Sequence, residues 1–366
     1  MKKAVLIGAG QTGRGFIAPI LKKNNYELVF VDKNEELIKQ LRNEKAYMID
    51  YFGNAKKPCI IEDFKAYTST EQEAVLELAN ADVIIIGVFA SNIKDVVPLL
   101  QNAIHIKGTD SKMKIICCEN GVNVKQPLID AGIDALISEG LIFCTTLKPK
   151  EDSLRLMCED YPELPISFVD GLDVHIKGMP IERNFHDLIE RKIYTYNFIS
   201  AVVAYLGSYM GYEVYGDAAN DDVIGEIIEQ VVPLISRIIA KKYTVPYEIQ
   251  LEFTNRAVRK FKNKEIHDTI YRNSRQAERK LGRNERLLVP LKLAYEYKED
   301  VKLFELIIAA AMFYGKSKEG MDISVIEDDI NDMLCDTKIS EDIIRYELMF
   351  ENGDSLQKLI KESREY

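Results

Sequence analysis

Three glycines near the start of the chain, in the segment GAGQTG at residues 8–13, have the spacing of a phosphate-binding loop. The loop follows an apolar run at Ala4–Ile7 and precedes a helical pattern. In that setting Gly8 permits a tight turn, Gly10 lets a pyrophosphate approach the backbone, and Gly13 allows close packing of helix on strand. The helix N-terminus offers unpaired N–H groups to phosphates. The predicted cofactor-binding residues of the loop are Gly8, Gly10, Gln11, Thr12 and Gly13.

An acidic residue stands where a dinucleotide-binding fold needs one. Asp32 ends the second apolar run, VFVD, nineteen residues after Gly13. A carboxylate there can accept hydrogen bonds from both ribose hydroxyls of the adenosine and would repel a 2′-phosphate. The sequence therefore predicts NAD as the cofactor in preference to NADP, with Lys33 as the basic neighbour that could partly offset the acid.

Basic residues crowd one short stretch of an otherwise acidic chain, within residues 272–286. They are Arg272, Arg275, Arg279, Lys280, Arg283 and Arg286. The planar guanidinium fork suits phosphate. Arg275 and Arg279 are four residues apart, so they would share one face if the piece is helical. The stretch is either an anion-binding surface or a solvated basic helix, and the spacing alone does not choose between them.

Two halves with different periodicity must position these residues. In residues 1–180, short β-branched runs alternate with helical stretches, which predicts an α/β Rossmann-type domain with a parallel sheet. The predicted strands are Ala4–Ile7, Leu28–Val31, Val83–Val88, Lys114–Cys118 and Ala135–Ile137, with shorter pieces at Ile166–Val169 and Leu172–Ile176. In residues 181–366 apolar residues recur every three or four positions, which predicts an all-α domain.

Composition excludes several classes of partner. The net charge of −10 argues against a nucleic-acid partner, although one basic pocket would suffice for a small anion. No apolar run approaches the length of a membrane span, and the start lacks the cleavage region of a signal peptide. The six cysteines show neither CxxC nor zinc-ligand spacing, so we expect reduced thiols, no metal and a cytoplasmic location.

Several motifs, in order along most of the chain, resemble those of the polyol-specific long-chain dehydrogenases. They are GAGQTGRGFI at 8–17, CCEN at 117–120, ERKIYTYN with AYLG at 190–207, SRQAERKL with RLLVPL at 274–291, and AAAMFYG at 309–315. The resemblance implies reversible, NAD-dependent oxidation of mannitol 1-phosphate to fructose 6-phosphate by a monomer, in a cleft between the two domains.

The resemblance also implies residue roles in a metal-free reaction. Lys192 would be the catalytic base that removes the hydroxyl proton as hydride leaves carbon, which requires its pKa to fall from about 10.4 towards about 7–8. Asn197 and Asn120 would donate hydrogen bonds to the carbonyl oxygen as negative charge develops on it. Arg275 and Arg279 would lie near the phosphate of a sugar-phosphate substrate, with Arg275 the stronger candidate.

One position departs from the family pattern. The family usually has histidine eight residues after the lysine, and this chain has Ser200. A serine hydroxyl can orient a substrate hydroxyl but cannot carry a proton near neutral pH. Two alternatives therefore stay open: a dehydrogenase of another polyol or a hexuronate, and a nucleotide-binding protein that has lost turnover.

Overall fold

The computed structural model describes residues 1–54, 56–108, 111–119, 121–149 and 153–365. The chain forms two compact units, Met1–Ile189 and Glu190–Tyr366. The division falls inside one helix, Phe185–Lys192. The sequence-based domain boundary after residue 180 stays a prediction.

The first unit is built on an eight-stranded, mostly parallel sheet of order β12-β11-β8-β7-β6-β1-β2-β5, in which the β11–β8 pair is antiparallel. Its strands are β1 Lys2–Ile7, β2 Tyr26–Asp32, β5 Phe64–Thr68, β6 Val83–Ile86, β7 Met113–Cys118, β8 Ala135–Gly140, β11 Ile166–Ser167 and β12 Ile181–Glu182. The five predicted main strands are confirmed. Because helices cover the inner strands, β1 and β6 read as nearly continuous apolar runs.

A second sheet of order β4-β3-β10-β9 lies in the same unit. Its strands are β3 Ala46–Tyr51, β4 Cys59–Glu62, β9 Thr146–Leu147 and β10 Leu156–Cys158. The stretch between the second and third predicted strands contributes β3 and β4. The strand expected at Leu172–Ile176 is wrong, since only an isolated bridge between Ile176 and Met179 forms there.

Short helices connect the strands of this unit, and one more follows its last strand. They are α1 Ala18–Lys23, α2 Glu35–Glu44, α3 Gln72–Ala79, α4 Val97–Lys107, α5 Gln126–Asp130 and α6 Phe185–Lys192, with 3₁₀ turns at Phe52–Asn54 and Ala90–Val96. The side chain of Asn34 caps α2 by accepting a hydrogen bond from the Leu37 amide at 3.0 Å. Ile38 and Leu41, on one face of α2, are fully buried against the sheet.

The second unit is helical, as predicted, and its described residues contain no strand beyond a bridge between Val214 and Thr269. Its helices are α7 Phe198–Tyr209, α8 Tyr215–Ala219, α9 Asp222–Tyr243, α10 Tyr247–Phe261, α11 Ile270–Ser274, α12 Ala277–Lys280, α13 Leu288–Tyr297, α14 Lys302–Tyr314, α15 Ile323–Leu334, α16 Thr337–Glu351 and α17 Leu356–Glu365. The apolar helices α7 and α14 form the centre of its core.

Gly207 and Gly211, inside and just beyond α7, have different structural roles. Gly207 lies inside α7, where a Cβ would come within 2.7 Å of the Ala218 Cβ and 2.8 Å of Ile270. Its missing side chain therefore permits close helix packing. Gly211, beyond the end of the helix, has φ +80° and turns the chain.

Three π-helical turns interrupt the helices of the described chain. They are Gly13–Ile17, Ile193–Asn197 and Gly315–Glu319. The first two lie within the motifs GAGQTGRGFI and ERKIYTYN, and the third begins at the last residue of AAAMFYG. Because π turns are rare and occur often at functional sites, they direct attention to these three segments.

Candidate active site

The glycine loop has the tight geometry that the sequence predicts. Gly8 has φ +99°, and a Cβ on it would lie 2.1 Å from the Gly87 carbonyl oxygen. A Cβ on Gly13 would lie 2.4 Å from the Gly8 carbonyl oxygen, whereas nothing stands within 4 Å of one on Gly10. Helical structure begins at Gln11, so Gln11 and Thr12 present the first amides of the helix. The space beside Gly10 is open to a phosphate.

Asp32 is tied directly to this loop. Its carboxylate accepts hydrogen bonds from the amides of Ala9 at 2.7 Å and Asn34 at 2.9 Å. A cavity of about 540 Å³ opens beside it and is lined by Gly8, Gly10, Asp32, Lys33, Gly87 and Asn92, among others. Lys33 Nζ lies 3.9 Å from the Asp95 carboxylate, and both side chains are exposed. The acid predicted from sequence therefore lines a cavity with the glycines.

Arg14, whose role the sequence did not reveal, holds the glycine loop in place through hydrogen bonds to main-chain carbonyls. It is 2% exposed and donates from Nε to the Ala9 carbonyl at 2.7 Å and from Nη1 to the Leu154 carbonyl at 2.9 Å. Tyr47 donates to the Arg14 carbonyl at 2.9 Å. Burial lowers the pKa of the Arg14 guanidinium. The only sign of this role in the sequence is that Arg14 lies within the motif GAGQTGRGFI.

The CCEN motif spans the end of β7. Cys117 and Cys118 are buried in that strand, and desolvation raises the pKa of the Cys117 thiol to about 12. The Glu119 carboxylate accepts from the Phe89 amide at 2.9 Å, and burial raises its pKa to about 6. Asn120, predicted to contact the substrate oxygen, lies outside the described residues.

Lys192 ends α6, and its neighbours fix that end in place. Tyr243 donates to the Glu190 carboxylate at 2.6 Å, and Arg191 donates from Nε to the Gln250 side chain at 2.9 Å. Gln250, fully buried, donates in turn to the Thr195 hydroxyl at 3.0 Å. Hydrogen bonds on both sides of Lys192 therefore hold its backbone against helices of the second unit.

The electrostatic environment of Lys192 favours its neutral amine. Although Lys192 keeps partial solvent exposure, desolvation, helped by the nearby cations Lys260 and Arg286, lowers its pKa to about 7. This is the direction that a general base acting near neutral pH requires. Lys260, on α10, was missed in sequence, since helical spacing within α10 carries no sign of its approach to Lys192.

Asn197 follows Lys192 through the second π turn. In such a turn hydrogen bonds join residues five apart, so Lys192 and Asn197 come onto one side of the helix. Ser200 lies one turn further on, in α7, where its carbonyl accepts from the Tyr215 hydroxyl at 3.3 Å. Within the described part of the chain, no hydrogen bond is seen for the Asn197 side-chain amide, whereas the Ser200 hydroxyl interacts with the Tyr215 hydroxyl. The Asn197 amide can therefore serve a substrate directly.

The basic stretch is not one continuous helix. Helix α11 ends before Arg275, whose ψ of 155° is extended, and Gln276 has a left-handed φ of +63° before α12 begins. The condition for Arg275 and Arg279 to share a helical face is therefore not met. The two side chains are both exposed, and they reach their surroundings from different backbone segments.

The arginines of this stretch differ in whether an acidic side chain already forms an ion pair with them. Arg272 pairs with Asp268 at 3.3 Å, Arg279 with Glu285 at 3.3 Å, and Arg283 with Asp329 at 2.5 Å and Asp332 at 2.7 Å. For Arg275 no ion pair or hydrogen bond of the side chain is recorded among the residues the structure describes. Arg275 is thus the arginine best able to bind an added anion.

Two other cations of the stretch are largely enclosed. Lys280, 6% exposed, donates to the Asn273 carbonyl, and desolvation together with Arg286 and Arg279 lowers its pKa to about 8. Arg286 lies 3.3 Å from the Glu285 carboxylate, and burial lowers its pKa. Because Arg286 acts on both Lys280 and Lys192, the stretch and the lysine share one electropositive region of the second unit.

Neither a metal centre nor a membrane span is found within the described ranges. They contain no group of three or more His, Cys, Asp or Glu side chains arranged to hold a metal ion. None of their helices has the length and apolarity needed to cross a bilayer.

Comparison with known families places the chain. Residues 2–168 match the model of the mannitol dehydrogenase Rossmann domain, and residues 184–363 match that of the mannitol dehydrogenase C-terminal domain. Two such domains in this order define an oxidoreductase acting on CH–OH groups, and more narrowly a polyol dehydrogenase. The chain belongs to the mannitol dehydrogenase family.

Curated relatives share the whole length or most of it. A mannitol-1-phosphate 5-dehydrogenase of Thermoanaerobacter pseudethanolicus is 31% identical over 386 aligned residues, covering 100% of this chain and 98% of that enzyme. One of the same name from Aureobasidium melanogenum is 28% identical, covering 79% of this chain and 80% of that enzyme.

Solved structures share the fold at low sequence identity. Pseudomonas fluorescens mannitol 2-dehydrogenase, in a ternary complex with NAD and D-mannitol, has a TM-score of 0.70 at 13% identity, covering 99% of this chain and 94% of the other. A D-sorbitol dehydrogenase in substrate-free form has a TM-score of 0.72 at 14% identity, covering 96% and 93%. Both likenesses support the Rossmann-plus-helical architecture.

Proposed function

We propose that this protein catalyses the reversible, NAD-dependent oxidation of D-mannitol 1-phosphate to D-fructose 6-phosphate, with Lys192 as general base. The observation that carries the proposal is the environment of Lys192, where desolvation and two neighbouring cations bring its pKa to about 7. The names of the curated relatives, each a mannitol-1-phosphate 5-dehydrogenase, support the choice of substrate.

The proposed proton transfer follows from that environment. Above pH 7 Lys192 is largely a neutral amine, so its nitrogen can accept the proton of the substrate hydroxyl while hydride leaves the same carbon. Asn197, brought beside Lys192 by the π turn, would donate a hydrogen bond to the substrate oxygen. In the reverse direction the protonated amine returns the proton to the carbonyl oxygen. We assign the same donor role to Asn120.

The first unit fits a nicotinamide dinucleotide. Gly10 leaves open space for the pyrophosphate, Gln11 and Thr12 offer helix-end amides, and Asp32 lines the adjoining cavity of about 540 Å³ with its carboxylate. Oxidised NAD, when bound, would accept the hydride. The Asp32 carboxylate favours NAD over NADP, because a 2′-phosphate would meet its negative charge.

The phosphate of the substrate would be bound by the basic stretch of the second unit. Arg275 is exposed and forms no ion pair with an acidic side chain in the described chain, whereas Arg279 already forms an ion pair with Glu285. We therefore propose Arg275 as the main phosphate ligand and Arg279 as a weaker one. The surrounding positive charge of Lys280 and Arg286 would strengthen both contacts.

Ser200 would position a substrate hydroxyl in place of the family's usual histidine. Its side chain can donate or accept a hydrogen bond but supplies no charge. Because serine replaces the usual histidine here, a second candidate function is a dehydrogenase of another polyol or of a hexuronate. We further propose, from the family resemblance, a monomer located in the cytoplasm; light scattering after size exclusion tests the first point and fractionation the second.

One assay that pairs mannitol 1-phosphate, mannitol and a hexuronate with NAD or NADP tests the function. We expect NADH to form with mannitol 1-phosphate and NAD, and far less product with unphosphorylated mannitol or with NADP. Turnover of mannitol or a hexuronate in preference to the phosphate would replace this substrate by the second candidate. Tight NAD binding without turnover of any polyol would leave a nucleotide-binding protein that has lost catalysis.

A further inference from the structure

Two buried cysteines of the first unit face each other outside the proposed active site. Cys144 precedes β9 and Cys158 ends β10, and their sulfur atoms are 3.3 Å apart. Cys158 pairs with Thr146 across the two strands, so Cys144, two residues away, is its diagonal neighbour on the same face. Both cysteines are unbridged thiols.

The sulfur separation is that of a pair poised to react. A disulfide bond is about 2.05 Å long, so little more than 1 Å of approach would join the two sulfur atoms. Cys117 and Cys118, the other neighbouring cysteines, are adjacent residues of one strand, whose side chains point to opposite faces. Cys144 and Cys158 are therefore the better placed pair.

The surroundings of Cys158 favour its reaction with an oxidant. Although nearly fully buried, it is among the residues that line a cavity of about 520 Å³, together with Gly15, Tyr51, Lys56 and Glu159. Hydrogen bonds from the Cys144 thiol and the Thr146 hydroxyl hold the pKa of Cys158 below its usual value, despite burial.

We propose that Cys144 and Cys158 form a redox-active dithiol that a hydroperoxide converts to an intramolecular disulfide. The Cys158 thiolate attacks one peroxide oxygen, the O–O bond breaks, and a sulfenic acid forms as hydroxide leaves and is protonated to water. The Cys144 sulfur then attacks the Cys158 sulfur, its proton leaving with the sulfenic oxygen as a second water. Two thiols are oxidised, and one molecule of H₂O₂ is reduced to two of water.

The segment between the two cysteines contacts Arg14 and Gly15, in the helix that follows the glycine loop. The segment between the two cysteines includes Leu154, whose carbonyl accepts from Arg14, and Thr146, whose Cγ2 would be 2.4 Å from a Cβ on Gly15. A disulfide would close this segment into a covalent loop beneath the helix that follows the glycines. It would also protect the Cys158 sulfur from further, irreversible oxidation.

Mass spectrometry of the reduced full-length protein after treatment with one equivalent of H₂O₂ tests the proposal. We expect loss of two titratable thiols, a peptide pair joined through Cys144 and Cys158, and full recovery with dithiothreitol. In C144S, dimedone should label Cys158 as a sulfenic acid that the wild type does not accumulate, whereas the matched variant C117S should still form the bond.

The wild-type peptide map keeps the test independent of how the variants fold. Retention of all six thiols, a bond to Cys59 instead, or unchanged bond formation in C144S would overturn the proposal. Dehydrogenase activity is not part of the readout, so the result is separate from that of the substrate assay.

Discussion

Lys192 and Asn197 stand at the two ends of one π-helical turn, with the lysine immediately before Ile193 and the asparagine as the last residue of the turn. In a regular α-helix residues five apart point in clearly different directions, whereas the i to i+5 hydrogen bonds of a π turn align them. The inserted turn therefore brings an amine and an amide to one side of the helix. The same carbon–oxygen group could meet both.

Replacing Lys192 by methionine should remove most of the turnover while leaving the first unit unaffected. Loss of a general base typically costs about 10²–10⁴-fold in rate, and we expect kcat to fall within that range. The dissociation constant of NADH, measured by fluorescence titration, should change little. Lys338→Met, at an exposed position of α16, is the matched control and should keep normal kcat. A nearly normal K192M enzyme would end the assignment.

The pH dependence of oxidation should report the lowered pKa of Lys192. Since only the neutral amine accepts a proton, kcat/KM for oxidation should rise with pH and level off above about 7, and the reduction should lose activity over the same range. Removing a neighbouring cation with Lys260→Met should move both profiles to higher pH, because that charge helps to lower the pKa.

The neighbouring Arg259→Met provides the control for that shift. Arg259 is exposed and pairs with Glu252, so its removal should leave the profiles in place. Equal shifts in the two variants, or none in K260M, would show that Lys260 does not act on the titrating group.

Arginine variants should separate phosphate binding from polyol binding. Arg275→Ala should raise KM for mannitol 1-phosphate by about 10- to 100-fold, since a hydrogen bond to a charged group contributes about 1.5–3 kcal/mol. Activity with unphosphorylated mannitol should not change. Arg283→Ala removes a guanidinium already bound by Asp329 and Asp332, and its KM should stay normal. If R275A and R283A behave alike in steady-state kinetics, Arg275 is not the phosphate ligand.

A buried carboxylate of the second unit should make stability depend on pH. Glu305 is fully buried in α14, and Lys302 Nζ lies 3.3 Å from its carboxylate. Desolvation raises its pKa from 4.5 to about 7. The folded state thus binds more protons between those values, so stability falls as pH rises through that window.

Glu305→Gln removes this penalty and can be checked by thermal unfolding. We expect its Tm to exceed that of the wild type at pH 8, where the native carboxyl is ionised, and to gain little or nothing at pH 5. Glu341→Gln, at an exposed position of α16, should shift Tm at neither pH. A Tm gain for E305Q that is the same at both pH values would contradict the buried charge as its cause.

Local sequence determined the first half of the fold and the cofactor loop. Short β-branched runs encode buried parallel strands, and the glycines of residues 8–13 encode a turn that side chains would block, so β1, β2, β6, β7 and β8 were all found. Helical period alone sufficed for the second half. The main misassignment, at Leu172–Ile176, is an apolar segment that makes only a single bridge, a difference that periodicity does not encode.

Only the tertiary structure decided what surrounds each charged group. Nothing in the spacing of Lys192 reveals that α10 brings Lys260 near it or that Arg286 approaches from the basic stretch, because both contacts join residues distant in sequence. The break before Gln276 and the sulfur contact of Cys144 with Cys158 were hidden for the same reason. Residue types are set locally, but desolvation and charge coupling depend on distances through space, and these exist only once the chain has folded.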